Sequence, residues 1–116
     1  MYTYNATVTK VVDGDTIDAL VDLGFDTWKQ VRIRLNGINT PESRTRDLEE
    51  KAKGLAAKAR LKEILKLNKN QFMLVSHGVG KYGRCLGTIF IEEYDVSINQ
   101  QLIIEGHAVE YHGEKR

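Results

Sequence analysis

The sequence predicts a mainly β domain with helices, of the α+β class, and three observations carry that prediction. Near the start, three runs alternate apolar and polar residues with the period of a strand; a long tract of Ala, Leu, Lys and Glu follows; two further strand-like runs come after it. At 116 residues the chain can bury one core without a disulfide or a structural metal, so residues 1–116 are expected to form a single domain.

The first strand spans Tyr4 to Val12, with Ala6, Val8 and Val12 as its apolar positions, and "DGD" breaks it with a tight turn. In "TIDALVDL", Ile17, Ala19, Val21 and Leu23 fall on one side and Asp18 and Asp22 on the other, a half-buried strand. "GFDT" reads as a hairpin loop. "WKQVRIRLN" then places Val31, Ile33 and Leu35 on one face and Gln30, Arg32, Arg34 and Asn36 on the opposite one. After the polar loop "GINTPES", which holds the chain's one proline, "RDLEEKAKGLAAKARLKEILKLNK" is composed of the strongest helix formers. Its apolar residues make two stripes, Leu48, Ala52, Leu55 and Ala59 against Ala57, Leu61, Ile64 and Leu65, on nearly opposite faces. Either both faces are covered or the helix breaks near Gly54. "QFMLVSHG" and "RCLGTIFIE" are the fourth and fifth strands, joined by the Gly-rich turn "GVGKYG". In "YDVSINQQLIIEGHA", Ser97 or Asp95 can cap a helix whose Ile98, Leu102 and Ile103 share a face, and Gly106 suits its C-terminal stop. Five strands with a helix between the third and fourth, and a second helix near the C-terminus, suit a small closed barrel of the OB type.

Composition narrows the function classes. The single Cys85 leaves no internal disulfide, and no apolar run is long enough to span a bilayer. The start "MYTYNATVTK" lacks the basic and apolar blocks of a secretory signal, so the chain as written is expected in the cytoplasm, or secreted if a leader has been removed. A formal net charge of +1 marks no overall polycation, yet Arg44 to Lys69 holds nine basic and four acidic residues. That segment is either a positive face for a polyanion or an ordinary solvated helix face. There is no Gly-rich loop ending in Lys and Ser or Thr, no Cys pair and no His pair at helical spacing, which argues against an NTPase, a zinc site and a zincin. His77, His107 and His112 are scattered and receive no role.

The remaining candidates are acidic and basic, and singly each has a plain structural reading. Asp15 closes an Asp-Gly-Asp turn, which is ordinary turn chemistry or a carboxylate for a hard cation. Arg34 ends a strand on its non-core face, and Arg84 opens another after "KYG".

Together, "VVDGDTI", "RIRLNGINTPES", "GKYGRCLGTIFI" and "INQQLIIEGHA" occur in the order and spacing of the staphylococcal nuclease family, which the chain resembles from about Val11 to Ala108. The resemblance implies a five-stranded OB barrel with packed helices. It also implies a Ca²⁺-dependent phosphodiesterase that acts on DNA and RNA and leaves 3′-phosphate ends. By motif position, Asp15 corresponds to the metal carboxylate, Thr40 to the residue that lends its backbone carbonyl to the metal, and Glu42 to the water-activating or water-positioning Glu. Arg34 and Arg84 correspond to the pair that grips the scissile phosphate, and Tyr82 to a Tyr lining the nucleotide pocket. The expected partner is DNA or RNA, preferably single-stranded, bound by a monomer with no membrane involved.

The pattern departs where the family usually carries Asp directly before the Thr and this chain has Asn39. Asn keeps a carbonyl oxygen for a hard cation but removes a full negative charge, so Ca²⁺ binding is expected to be weaker with its geometry retained. The alternative is a nucleic-acid-binding module of the same fold with weakened or lost cleavage. Gly80 replaces an Asp before "KYGR", outside the catalytic set. Tyr111 could stack on a base but falls about one position out of register with a family Tyr, and is read instead as a surface or core aromatic. The proposed roles also make sense as chemistry. Hydrolysis of a phosphodiester needs an activated water and neutralisation of charge on the phosphoryl oxygens. Arg meets the second need with a planar fork that donates two parallel bonds, where Lys is a point charge.

Overall fold

The computed structural model describes residues 2–80 and 83–112. Among the described residues nine elements follow in order: β1 (Tyr2–Asp13), β2 (Thr16–Asp22), β3 (Trp28–Leu35), β4 (Ile38–Asn39), α1 (Leu48–Lys66), β5 (Gln71–Val79), β6 (Cys85–Phe90), α2 (Ile98–Ile104) and β7 (Val109–Glu110). Five strands close a barrel in the order β1-β2-β3-β6-β5, and α1 stands between its third and fourth strands. This is the OB arrangement the element order predicts. All its pairings are antiparallel except β3 with β6, which run parallel with Arg34 opposite Leu86.

Strand alternation sorts the side chains as expected over most of its length. Ile17, Ala19, Val21, Ile33, Leu35, Leu74 and Ile89 point into the barrel and are buried. In β1, two register shifts against β2 interrupt the period, so Val11 and Val12 are both buried although adjacent. Leu23, expected on the core side, is instead exposed. β2 ends at Asp22, and Phe25 and Asp26 both take positive φ (55° and 58°), so Leu23 belongs to the hairpin turn.

Helix α1 corrects a second expectation. It runs unbroken through Gly54, and only the stripe of Gly54, Ala57, Leu61, Ile64 and Leu65 is covered. Leu48 is 80% exposed and Leu55 45%, so the other stripe faces solvent. Gly54 serves contact instead of breakage: a Cβ there would run into the carbonyl of Glu42 and the backbone nitrogen of Ser43. The loop that precedes the helix therefore lies directly on the helix backbone. Asp47 caps α1 by accepting from the nitrogens of Glu49 and Glu50. Ser97, not Asp95, caps α2 through Gln100 N at 3.0 Å, and Gly106 ends that helix at φ 81°.

Buried Asn99 ties α2 to the barrel. Its carboxamide oxygen accepts from Ile89 N at 3.1 Å, and its nitrogen donates to Asn36 O at 2.9 Å and Gly87 O at 3.1 Å. Asn36 sits just before "GINTPES", so one buried amide fixes the start of that loop.

Candidate active site

Three elements of the sequence converge at one end of the barrel: the β1–β2 turn, the end of β3 with its following loop, and the start of β6. In the turn, Asp15 is buried. Its Oδ1 accepts from the Thr16 hydroxyl at 3.1 Å and its Oδ2 accepts from Thr40 N at 3.2 Å. Its own carbonyl accepts from Leu35 N at 2.8 Å, so β3 also fixes the backbone that carries this carboxylate.

Arg34 reaches the same point from β3. Its Nη1 donates to Leu35 O at 2.9 Å; its Nη2 donates to Asn39 Oδ1 at 3.3 Å and lies 3.6 Å from Asp15 Oδ2. The guanidinium also faces the Tyr111 ring, with Cζ 5.8 Å from the ring centroid, within range of a cation–π contact. Tyr111 is therefore a cleft residue, which corrects its reading as a surface or core aromatic. Its placement depends on a pairing too short for any sequence period to announce. β4 and β7 match Ile38 with Glu110 and Asn39 with Val109, and Tyr111 N then donates to Gly37 O at 2.8 Å.

The loop carrying Thr40, Pro41 and Glu42 is tethered on three sides. Thr40 N is bonded to Asp15, the buried Ser43 hydroxyl donates to Asp13 Oδ1, and Gly54 of α1 lies against the Glu42 carbonyl. Arg44 lies 4.0 Å from the other Asp13 oxygen. The Glu42 side chain between these anchors is exposed to the cleft. Arg84 enters from the residue preceding β6, where Gly83 takes φ 74° and Gly80 N donates to Arg84 O at 2.8 Å. The parallel β3–β6 pairing brings it alongside the end of β3 that bears Arg34.

Two adjoining cavities, about 410 and 780 Å³, share Arg34, Asn39, Thr40, Pro41, Glu42 and Arg84 in their walls, and Asp15 lines the smaller. Six of the seven residues singled out in the sequence thus border one cleft; the seventh, Tyr82, lies outside the described residues. Gly54 and Ser43 were not singled out. Gly54's role is a backbone contact across twelve residues, which leaves no periodic trace.

Among the described residues, no three His, Cys, Asp or Glu side chains converge as a ready metal cluster. The donors at the cleft floor are hard oxygens in kind: the Asp15 carboxylate, the Asn39 carboxamide and the Thr40 backbone. They suit a hard cation chemically while supplying a single carboxylate charge. The Thr40 hydroxyl is buried there with no hydrogen-bond partner among the described residues.

A model of the family described as Staphylococcal nuclease homologue matches residues 32–116. The chain is 34% identical over 84 residues to Protein ParB of Escherichia coli, a match that covers 72% of this chain and 40% of that protein. It is 30% identical over 115 residues to Micrococcal nuclease of Shigella flexneri, covering 93% of this chain and 59% of that protein. The chain thus spans about half the length of these curated relatives.

Proposed function

The chain belongs to the staphylococcal nuclease homologue family, and from that premise we propose that it is a nuclease, hydrolysing phosphodiester bonds of DNA and RNA with Ca²⁺ and leaving 3′-phosphate ends. The observation that carries the reading is the meeting of two arginines, a buried carboxylate and an exposed glutamate on one cleft.

Arg34 and Arg84 bind the non-bridging oxygens of the scissile phosphate and stabilise the charge that grows on them as water attacks. Arg34 is suited to this because its contacts to Asn39 and Asp15 are long, at 3.3 and 3.6 Å, and can yield to a phosphate. Glu42 accepts the proton of the attacking water; the new bond forms between that oxygen and phosphorus, and the bond to the 5′-oxygen breaks. The phosphate stays on the 3′ side, and the leaving 5′-oxygen takes a proton from solvent and departs as a 5′-hydroxyl. Asp15, with the oxygens of Asn39 and Thr40, would hold the Ca²⁺, whose positive charge polarises the phosphoryl group when bound. Tyr111 offers a ring beside Arg34 on which a base can stack. The substrate is proposed to be preferably single-stranded and the protein to act as a monomer.

One observation favours a second reading, a binding module with weakened cleavage. Asn39 accepts from Arg34 and brings no charge where the family usually has a carboxylate. A cleavage assay on single-stranded DNA across a Ca²⁺ titration decides between the two. Under the nuclease reading, wild type cleaves at millimolar Ca²⁺ and leaves 3′-phosphate ends. Glu42→Gln lowers turnover by about a hundredfold or more, and Asn39→Asp shifts the Ca²⁺ requirement downward. Intact binding with no cleavage at any Ca²⁺ concentration selects the binding module.

A further inference from the structure

The basic residues between Arg44 and Lys69 do not share one fate. Lys53 pairs with Glu49 at 3.7 Å, Arg60 with Glu105 at 2.6 Å, and Arg44 lies 4.0 Å from Asp13. Lys58, Lys62 and Lys66 have no such partner among the described residues. They stand one helical turn apart, about 6 Å of rise each, on a face of α1 beside the one packed on the barrel. Together with Lys10 of β1 they line a groove of about 360 Å³ between helix and strand. The rest of its wall is neutral, supplied by β1 and by Asn70, and no acidic side chain enters it.

Four cations around one concavity repel one another, and an ordinary solvated face would intersperse them with acids. Of the acids of α1, Glu49 and Glu50 lie in its first turn on the wall of the larger cleft, and Glu63, whose charge acts on Arg60, is not among the residues that line the groove. Both walls of the groove lead to the candidate active site. β1 ends at Asp13 and passes straight into Asp15, and α1 touches the Glu42 loop at Gly54. Lys51, two turns before Lys58 and exposed, continues the row toward that end.

We propose that the groove of Lys10, Lys58, Lys62 and Lys66 is a second nucleic-acid contact, which binds backbone phosphates of a polynucleotide strand away from the scissile bond. The inference deepens the nuclease reading and rests on it for the identity of the ligand. It gives the protein a length preference: a strand long enough to occupy both cleft and groove gains affinity through phosphate contacts that a very short substrate does not reach. A concave groove suits a single strand better than the flat surface of a bilayer.

The test compares wild type with Lys58→Gln/Lys62→Gln/Lys66→Gln, its fold verified by thermal melting, in binding and in cleavage. The probes are a dinucleotide-length substrate, a long single-stranded oligonucleotide, and phosphatidylserine vesicles. The expected result is unchanged turnover of the short substrate, with affinity for the long strand about tenfold weaker at low salt. The slope of log affinity against log salt should fall by about 2, since each phosphate contact in a single strand contributes about 0.7. A triple variant with wild-type slope and wild-type length dependence overturns the proposal, and so does lysine-dependent binding to vesicles without lysine-dependent binding to the strand. The two readings fail separately. A wild type that binds the long strand through these lysines but cuts nothing removes the nuclease reading and leaves the groove; one that cuts long and short substrates as fast as the triple variant does the reverse.

Discussion

Arg34 and Arg60 are both partly shielded arginines that face a carboxylate, yet their surroundings set them to different tasks. Arg60 joins α1 to the C-cap of α2: its Nε and Nη2 donate to the two oxygens of Glu105 at 2.6 and 2.9 Å, and Nη2 also donates to the Tyr94 hydroxyl at 3.1 Å. Gln101 adds a further bond to Glu105 at 2.7 Å. The bidentate hydrogen bond from Arg60 is the main cause that holds the Glu105 carboxyl down at about 2, with Gln101 and the nearby positive charges acting in the same direction against its burial. Arg34 is the more enclosed of the two, with side-chain exposure of 13% against 30%, but it stays 3.6 Å from its carboxylate and shares that carboxylate with Thr16 and Thr40. The lesson is that a saturated fork is a fastener, whereas a fork anchored at Nη1 by one carbonyl, with only long contacts at Nη2 beside a cavity, keeps a donor for a ligand.

Changes on either side of this contrast should sharpen it. The largest effect is expected from Gly54→Ala, because the new methyl meets the backbone of Glu42 and Ser43, which cannot rotate away. A loss of about 2 kcal/mol in urea denaturation is expected, together with a fall in turnover from the displaced Glu42. If stability drops with no effect on turnover, the loop's position does not matter to the site. A smaller effect is expected at the helix clasp. Glu105→Gln should cost about 1–2 kcal/mol and leave cleavage unchanged, since the pair is partly exposed and remote from the cleft. The same contribution should depend on acid. The folded-state value lies below the usual 4.5, so the stabilisation is complete above pH 4.5 and is lost progressively as pH falls toward 2. Denaturation midpoints of wild type and Glu105→Gln should therefore converge across that window.

Much of the frame was legible because period two and the strong helix composition act locally. β2 and β3 sort their side chains as the alternation predicts, and the order of elements led to the barrel. What escaped was tertiary in origin. Two-residue strands such as β4 and β7 carry no period, yet their pairing sets Tyr111 against Arg34. The second apolar stripe of α1 looked like a second buried face, but among the described residues no element covers Leu48 and Leu55. Gly54 resembled a helix break because sequence shows its missing side chain and not the backbone that fills the space. At the site, motif order identified the residues that border the cleft, while the long Arg34 contacts and the Asn39 bond had to be read from geometry.

The most direct test sets the two arginines side by side. Arg34→Lys and Arg60→Lys are each measured for melting temperature and for cleavage of a single-stranded substrate under saturating Ca²⁺. Arg34→Lys should keep its melting temperature and lose about a hundredfold or more in rate, since Lys cannot reproduce the two parallel bonds to phosphate. Arg60→Lys should melt earlier and cleave at the wild-type rate. Cleavage by Arg34→Lys as fast as wild type, or a loss of rate at both positions in proportion to lost stability, would contradict the account.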